Sequence, residues 1–226
     1  MFARATMWNS IVASQRINNR FTKITGYPFF LIAFKTKVFY QNRKVQGRRI
    51  KGKALVVTNH RAIYDFAVWM FVFFTRTLRC IVAEVTYDLN PVLHALLKMW
   101  GAIRVDRHDN DFEFMWKSID ILKKGGVVEI FPESRIPEKD EPTPLEFKPS
   151  YVYIALRSDA PIIPVFTDGC YFSKKRSHVM IGTPIYASEL YDESLGEREN
   201  IEAINSFVRS RIIELGEELE KRKNGR

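Results

Sequence analysis

The apolar and polar positions after residue 53 predict strands and helices in alternation. Short apolar runs predict buried strands at 54–58, 79–84, 102–105, 127–131, 161–166 and 179–181. Helical spacing predicts helices at 64–76, 90–100, 111–124, 147–158 and, with Ile201 to Leu219 along one face, at the C-terminus. Strands separated by helices indicate an α/β fold with a largely parallel central sheet and helices on both faces.

The N-terminal segment has a different pattern, in which an apolar stripe runs beside a basic one. The apolar stripe and its basic neighbours are Ile17, Phe21 and Ile24, and Arg16, Arg20 and Lys23. Gly26 and Pro28 then interrupt the spacing, which predicts an amphipathic helix pair. We therefore divide the chain into basic, membrane-associating helices at 1–45 and an α/β domain at 46–226. No apolar run reaches the roughly 18–20 residues that a membrane-spanning helix needs.

The excess of positive over negative charge lies entirely in the first 64 residues. Residues 1–64 contain 13 Lys and Arg and no Asp or Glu, whereas the rest carries 22 basic and 26 acidic residues. A basic, apolar helix fits an anionic bilayer surface. The alternative is a helix packed on its own domain with a solvated basic edge. Nucleic acid is not a predicted partner, because no recognition signature for it is present.

One polar cluster follows the first predicted strand of the domain. Asn59 and His60 lie at the strand end, and Asp65 lies in the next helix, where site residues gather in open α/β sheets. If His60 occupies the turn, the carboxylate of Asp65 can orient its ring, which makes an imidazole base suited to deprotonating an alcohol. The alternative is a structural histidine beside a helix N-terminus. A metal site is not predicted, because the two cysteines, Cys80 and Cys170, have no paired spacing.

Two further polar clusters follow other strands. Arg104 and Arg107 lie at the end of one strand, and Glu133 and Arg135 lie just past another. Because the carboxyl ends of parallel strands share one edge of the sheet, these arginines could converge near His60. Guanidinium groups bind phosphate with two parallel hydrogen bonds, so the clusters indicate a phosphate-binding site.

Together these blocks resemble the glycerolipid acyltransferase family, whose best-known members acylate 1-acylglycerol-3-phosphate. The matching blocks are Asn-His-x4-Asp at 59–65, Gly-x-Ile-x-x-x-Arg at 101–107, Phe-Pro-Glu-x-Arg at 131–135 and Ile-Pro-Val at 163–165. The resemblance covers roughly residues 54–185. The third block departs from the usual Phe-Pro-Glu-Gly-Thr-Arg, since it is one residue shorter and lacks the glycine.

The resemblance implies roles for the matching residues. His60 would be the general base and Asp65 its orienting partner. Arg107, Glu133 and Arg135 would bind the acceptor and its phosphate. Further candidates for substrate contact are Asn59, Arg104, Lys148 and Pro164.

The resemblance also implies a reaction. A fatty acyl group would pass from acyl-CoA or acyl-carrier protein to the free hydroxyl of 1-acylglycerol-3-phosphate, giving phosphatidate. No metal or other cofactor is expected, and the enzyme would lie at the cytoplasmic face of the membrane as a peripheral or monotopic protein. Two alternatives stay open: another acceptor (glycerol-3-phosphate, another lysophospholipid or an amino-acid lipid), or a non-catalytic membrane-surface protein.

Overall fold

The structure is a computed structural model that describes residues 2–106 and 112–225. The helices are α1 (Phe2–Ala33), α2 (Asp65–Val72), α3 (Glu84–Tyr87), α4 (Pro91–Trp100), α5 (Glu113–Lys123), α6 (Ser150–Ser158) and α7 (Glu197–Asn224). The strands are β1 (Lys37–Tyr40), β2 (Ala54–Thr58), β3 (Leu78–Ala83), β4 (Ile103–Val105), β5 (Val127–Ile130), β6 (Ile162–Thr167) and β7 (His178–Ile181). A short 3-10 helix lies between β7 and α7.

The strands form one mixed sheet in the order β1-β7-β6-β2-β5-β3-β4. The five strands from β6 to β4 run parallel. β7 is antiparallel to β6, and β1 is parallel to β7. Every residue of β2 and of β5 is buried, as expected for central strands covered on both faces.

An apolar cluster fills the space on each side of the sheet. On one face, α5, α6 and α7 pack against alternate residues of the central strands, such as Leu55 and Val128. On the other face, α1 and α2 pack against the strand residues next to these, such as Val56 and Val127. The predicted α/β fold with helices on both faces is therefore confirmed.

The prediction of two N-terminal helices is wrong, because α1 is one continuous helix that contains Pro28. A proline inside a helix costs about 3 kcal/mol, so tertiary contacts must compensate. Phe30 of α1 stacks on Phe71 of α2 with ring centroids 4.7 Å apart. At Gly26, an added Cβ would lie 2.9 Å from the Phe71 ring, so glycine permits the close approach of the two helices.

The exposed face of α1 carries the predicted apolar stripe. Ile17, Phe21 and Ile24 are each at least 66% exposed. Among the residues that the structure describes, no helix is both long and apolar enough to cross a membrane. The domain boundary predicted after residue 45 lies beyond β1, so the sheet includes residues from both sides of it.

Lys23 does not belong to the basic stripe, which corrects the sequence prediction. It is fully buried, and its Nζ donates to the carbonyl oxygens of Phe73, Phe74 and Arg76 at 3.3, 3.3 and 2.5 Å. These carbonyls follow the last turn of α2, where a cation is favoured. Burial lowers the pKa of Lys23 to about 7, against the opposing attraction of Glu129.

Replacing Lys23 by methionine is expected to lower the free energy of unfolding by about 1–3 kcal/mol, because buried carbonyls lose their donor. The deficit should grow from about pH 7 to about pH 10. In that range the unfolded chain holds the lysine proton and the folded chain does not, so Lys23 contributes more stability as the pH rises. Urea unfolding across this pH range measures both effects, with the exposed Lys117→Met as the control. An equal or smaller deficit at high pH would contradict the buried, neutral amine.

Candidate active site

The candidate site lies at the carboxyl ends of the central parallel strands. β2 ends at Thr58, and His60 occupies the turn that leads into α2, whose first residue is Asp65. β5 is the neighbour of β2, and Phe131 and Glu133 follow it. On a continuous helix, two residues five positions apart would lie on different faces. Because His60 lies in the turn before α2, its ring can reach the side chain of Asp65.

His60 and Asp65 form the predicted pair. His60 Nδ1 lies 2.8 Å from Asp65 Oδ2, and the Asp65 side chain is fully buried. A carboxylate only accepts hydrogen bonds, so Nδ1 carries the proton of the neutral ring and Nε2 is left with a free lone pair. The side chain of His60 is 20% exposed and lies in the wall of a cavity. The arrangement suits proton abstraction by Nε2.

The backbone of the turn also binds the carboxylate. The N–H groups of Arg61 and Ala62 donate to Asp65 Oδ2 at 2.6 and 2.8 Å. Because donors to a carboxylate stabilise its charged form, these bonds offset the cost of burying Asp65. The same bonds fix the turn that carries His60.

Tyr171 completes the set of donors, and the sequence analysis missed it. Its hydroxyl donates to Asp65 Oδ1 at 2.7 Å and lies 2.7 Å from the hydroxyl of Thr167. Burial raises the pKa of Tyr171 well above its ordinary value, and the negative charge of Asp65 raises it further. Tyr171 therefore stays protonated and keeps donating to the carboxylate.

Glu133 holds the turn from the other side. Its two carboxylate oxygens accept hydrogen bonds from the N–H of His60 at 2.7 Å and from the N–H of Leu145 at 2.8 Å. Burial raises the pKa of Glu133, whereas the two N–H donors lower it. Glu133 thus links the His60 turn to the loop before α6. Its predicted contact with the acceptor stays a prediction.

Asn59 and Pro164 lie in the framework behind the site. The Asn59 side chain exchanges two hydrogen bonds with the backbone of Thr167, at 2.8 and 2.9 Å, which joins the ends of β2 and β6. Pro164 is buried in β6, opposite Val57 of β2. Neither residue is among the described residues that line the cavity beside His60, and their predicted contact with substrate stays a prediction.

The predicted phosphate-binding residues are not all brought together. Arg107 lies outside the described residues. Arg104 makes an exposed ion pair with Asp88 at 2.9 Å and is not in the cavity wall. Arg135 and Lys148 do line the cavity. The guanidinium of Arg135 binds both oxygens of Glu141, at 2.7 and 2.5 Å, and its side chain is 51% exposed.

The cavity beside His60 has a volume of about 880 Å³. The Phe131 ring packs over the imidazole, with centroids 4.4 Å apart. Apolar side chains from β3, β4, α5 and α6 form much of the remaining wall, including Ile81, Val105, Phe114, Met115 and Tyr153. A large cavity with a mostly apolar lining and a few polar groups is typical of a site for an apolar ligand. Within residues 2–106 and 112–225, no cluster of three or more His, Cys, Asp or Glu side chains is placed to hold a metal ion.

Comparison with known proteins identifies the family of the chain. The family model described as Acyltransferase matches residues 37–168. A 1-acyl-sn-glycerol-3-phosphate acyltransferase of Bacillus subtilis (strain 168) is 28% identical over 137 residues, which are 58% of this chain and 66% of that protein. The crystal structure of the 1-acyl-sn-glycerophosphate (LPA) acyltransferase PlsC of Thermotoga maritima has the same fold, with a TM-score of 0.64 and 18% identity over 93% of this chain and 82% of that chain.

The family match extends from β1 to just past β6 and therefore includes His60, Asp65 and Glu133. It spans more than half of the chain, and it agrees with the resemblance carried by the four sequence blocks. This protein is a member of the Acyltransferase family.

Proposed function

We propose that the protein transfers a fatty acyl group from acyl-CoA or acyl-carrier protein to the free hydroxyl of 1-acylglycerol-3-phosphate, giving phosphatidate. The observation that carries the proposal is the His60–Asp65 pair, held at 2.8 Å, with His60 in the wall of a largely apolar cavity. The names of the Bacillus relative and of the Thermotoga structure support this acceptor.

In the proposed reaction, Nε2 of His60 takes the proton from the acceptor hydroxyl as its oxygen attacks the thioester carbonyl. The tetrahedral intermediate expels the thiolate, and the imidazolium returns the proton to the sulfur. Buried Asp65 stabilises the imidazolium and keeps the ring oriented. An acyl-enzyme is not required, because the pair can act on the acceptor hydroxyl directly.

The cavity is the proposed binding site of the acyl chain. Each methylene removed from water contributes about 0.8 kcal/mol, so an apolar wall binds a long chain strongly. The part of the cavity beside His60 would then receive the thioester carbonyl. Holding both substrates beside one base converts the transfer into a reaction within a single complex.

Exposed apolar side chains beside the site support action at a bilayer surface. Ile63, Tyr64 and Phe172 are 60, 43 and 53% exposed. Phe172 also contacts Phe34, which immediately follows α1, with ring centroids 4.9 Å apart. The proposed apolar surface consists of these exposed residues together with the exposed stripe of α1, Ile17, Phe21 and Ile24. We propose that this surface contacts the cytoplasmic face of the membrane, where the lipid acceptor resides.

Replacing Arg135 by alanine is expected to raise the KM for the acceptor roughly tenfold and to change kcat little. The reason is that Arg135 would contact the phosphate of the acceptor rather than the reacting atoms. Steady-state kinetics with varied lysophosphatidate measure the split, and the exposed Arg198→Ala is the control. A lower kcat with an unchanged KM would exclude this role for Arg135.

Replacing Tyr171 by phenylalanine is expected to lower kcat by about tenfold and to leave both KM values unchanged. Asp65 Oδ1 loses a hydrogen bond to a charged group, which is worth about 1.5–3 kcal/mol. The pH profile of kcat should also shift, because the carboxylate that contacts His60 has one hydrogen-bond donor fewer. The control is Tyr191→Phe on the surface. An unchanged pH profile together with a lower unfolding temperature would indicate a structural role alone.

A panel of acceptors tests the proposed function. Purified protein on vesicles is given palmitoyl-CoA, or acyl-carrier protein as the second donor, with lysophosphatidate, glycerol-3-phosphate or lysophosphatidylglycerol. Thiol release and the mass of the lipid product are followed together. Phosphatidate as the main product supports the proposal, whereas a product from another acceptor supports the same chemistry on a different headgroup. Vesicle binding without thiol release from either donor favours a non-catalytic membrane protein.

A further inference from the structure

A second cavity has a volume of about 520 Å³ and is lined mainly by the segment between β1 and β2. Six cationic side chains line it: Arg43, Lys44, Arg48, Arg49, Lys51 and Lys53. None of the described residues that line it is acidic. We call it the basic cavity.

The basic cavity and the His60 site lie at opposite ends of the sheet. Lys53 and Pro161, which line the cavity, immediately precede β2 and β6. His60 follows the other end of β2, roughly 20 Å farther along the strand. A ligand in the basic cavity is therefore distinct from an acceptor phosphate placed beside His60.

Two of the six cationic side chains donate hydrogen bonds to acceptors in the described part of the chain. Arg48 donates to the carbonyl oxygens of Phe71 and Val72 at 3.2 and 3.0 Å. Lys53 binds the Ser158 carbonyl at 2.8 Å and forms an ion pair with Asp159 at 3.3 Å. These two side chains help to hold the cavity wall in place.

The other four cations, Arg43, Lys44, Arg49 and Lys51, are exposed and have no acidic partner in the part of the chain that the structure describes. Like charges so close together repel one another, and an anion between them would relieve the repulsion. Arginine also presents a planar fork of donors that matches phosphate oxygens.

The turn that carries Arg43 and Lys44 is ordered by its own hydrogen bonds. The N–H groups of Val45 and Gln46 donate to the carbonyl oxygen of Asn42 at 3.2 and 3.0 Å, and the N–H of Lys44 donates to its side chain at 3.1 Å. The guanidinium of Arg43 lies over the ring of Tyr40, 5.5 Å from its centroid. Because the turn is already formed, an anion would bind without first ordering the loop.

We propose that the basic cavity binds a phosphate-bearing anion at a site separate from the His60 site. The phosphate belongs either to a free phosphate compound or to the headgroup of an anionic lipid. The cavity would then serve as an effector site or as an additional membrane contact, and it does not depend on the identity of the acyl acceptor.

The test compares the wild-type protein with Arg43→Gln/Arg49→Gln and with the charge-matched control Lys117→Gln/Arg198→Gln. Both control residues are exposed and lie outside the cavity wall. Pyrophosphate binding is measured by calorimetry at constant ionic strength. Partition to phosphatidylglycerol vesicles is measured against phosphatidylcholine vesicles, and the unfolding temperature shows that each variant folds.

For a free phosphate compound, we expect saturable pyrophosphate binding that weakens at least about tenfold in the cavity variant and stays unchanged in the control. For a lipid headgroup, we expect only the preference for phosphatidylglycerol to fall, again in the cavity variant alone. The proposal is overturned if neither probe distinguishes the cavity variant from the control. Acyl transfer can be present or absent in either case, so the proposed function is tested separately.

Discussion

Replacing His60 by alanine is expected to reduce kcat for acyl transfer by about 10²–10⁴-fold, because the reaction loses its general base. The side chain is 20% exposed and lies in the cavity wall, so the fold should tolerate the change. Binding to anionic vesicles should be retained, since the exposed apolar surface of α1 is distant in sequence and is left intact.

The comparison variant is His94→Ala, which removes another histidine that lies beside an aspartate. His94 Nδ1 is 3.2 Å from Asp88 on the protein surface, outside the cavity wall. Initial rates at saturating substrates should therefore fall for His60→Ala and stay near the wild-type value for His94→Ala. Full activity of His60→Ala would mean that another group takes the proton.

Replacing Asp65 by asparagine is expected to affect both activity and stability. The carboxylate accepts hydrogen bonds from the His60 ring, from the N–H groups of Arg61 and Ala62, and from the Tyr171 hydroxyl. An amide offers one acceptor atom in place of two, so at least one of these buried donors loses its partner. We expect a loss of about 1–3 kcal/mol in the free energy of unfolding.

The loss of activity should be comparable to that of His60→Ala, because the neutral amide neither stabilises the imidazolium nor fixes the tautomer of the ring. Urea unfolding and kcat measured on the same preparations separate the two effects. Asp88→Asn, at an exposed His–Asp pair, serves as the control. A variant with normal kcat and reduced stability would limit Asp65 to a structural role.

Much of the fold could be predicted from local sequence patterns. The apolar run of β2 and the mostly apolar β5, interrupted by Glu129, have the composition of strands buried on both faces. The helix predicted over 90–100 is α4, where the Asn90 side chain accepts from the N–H of Leu93 at 2.8 Å and Pro91 occupies the first turn. These features depend on a few neighbouring residues, so the sequence alone is sufficient to predict them.

The missed features depend on contacts between distant parts of the chain. β1 contains only four residues and is half-buried along its whole length, so its sequence has no alternation of apolar and polar positions. Its hydrogen bonds to β7 make it a strand. Lys23 has the spacing of a solvated residue, yet it is buried because the end of α2 provides carbonyl acceptors 50 to 53 residues away.

The candidate site shows the same division. The pairing of His60 with Asp65 could be predicted, because five residues separate them and a turn brings them together. Tyr171 could not, because it reaches Asp65 across 106 residues and follows a strand whose polar end gave no local signal. Arg104 was predicted to converge with the other arginines, but the nearby carboxylate of Asp88 binds it at the surface.

Direct acyl transfer by the His60–Asp65 pair can be tested in one reaction in which every product is quantified. Purified protein, lysophosphatidate vesicles and palmitoyl-CoA are mixed, and free thiol, phosphatidate and free fatty acid are quantified by mass spectrometry, together with the intact mass of the protein. Direct transfer by the His60–Asp65 pair predicts equal amounts of thiol and phosphatidate, no acylated protein, and neither product with His60→Ala. Thiol matched by free fatty acid, or an acylated protein that forms without the acceptor, would contradict direct transfer by the His60–Asp65 pair.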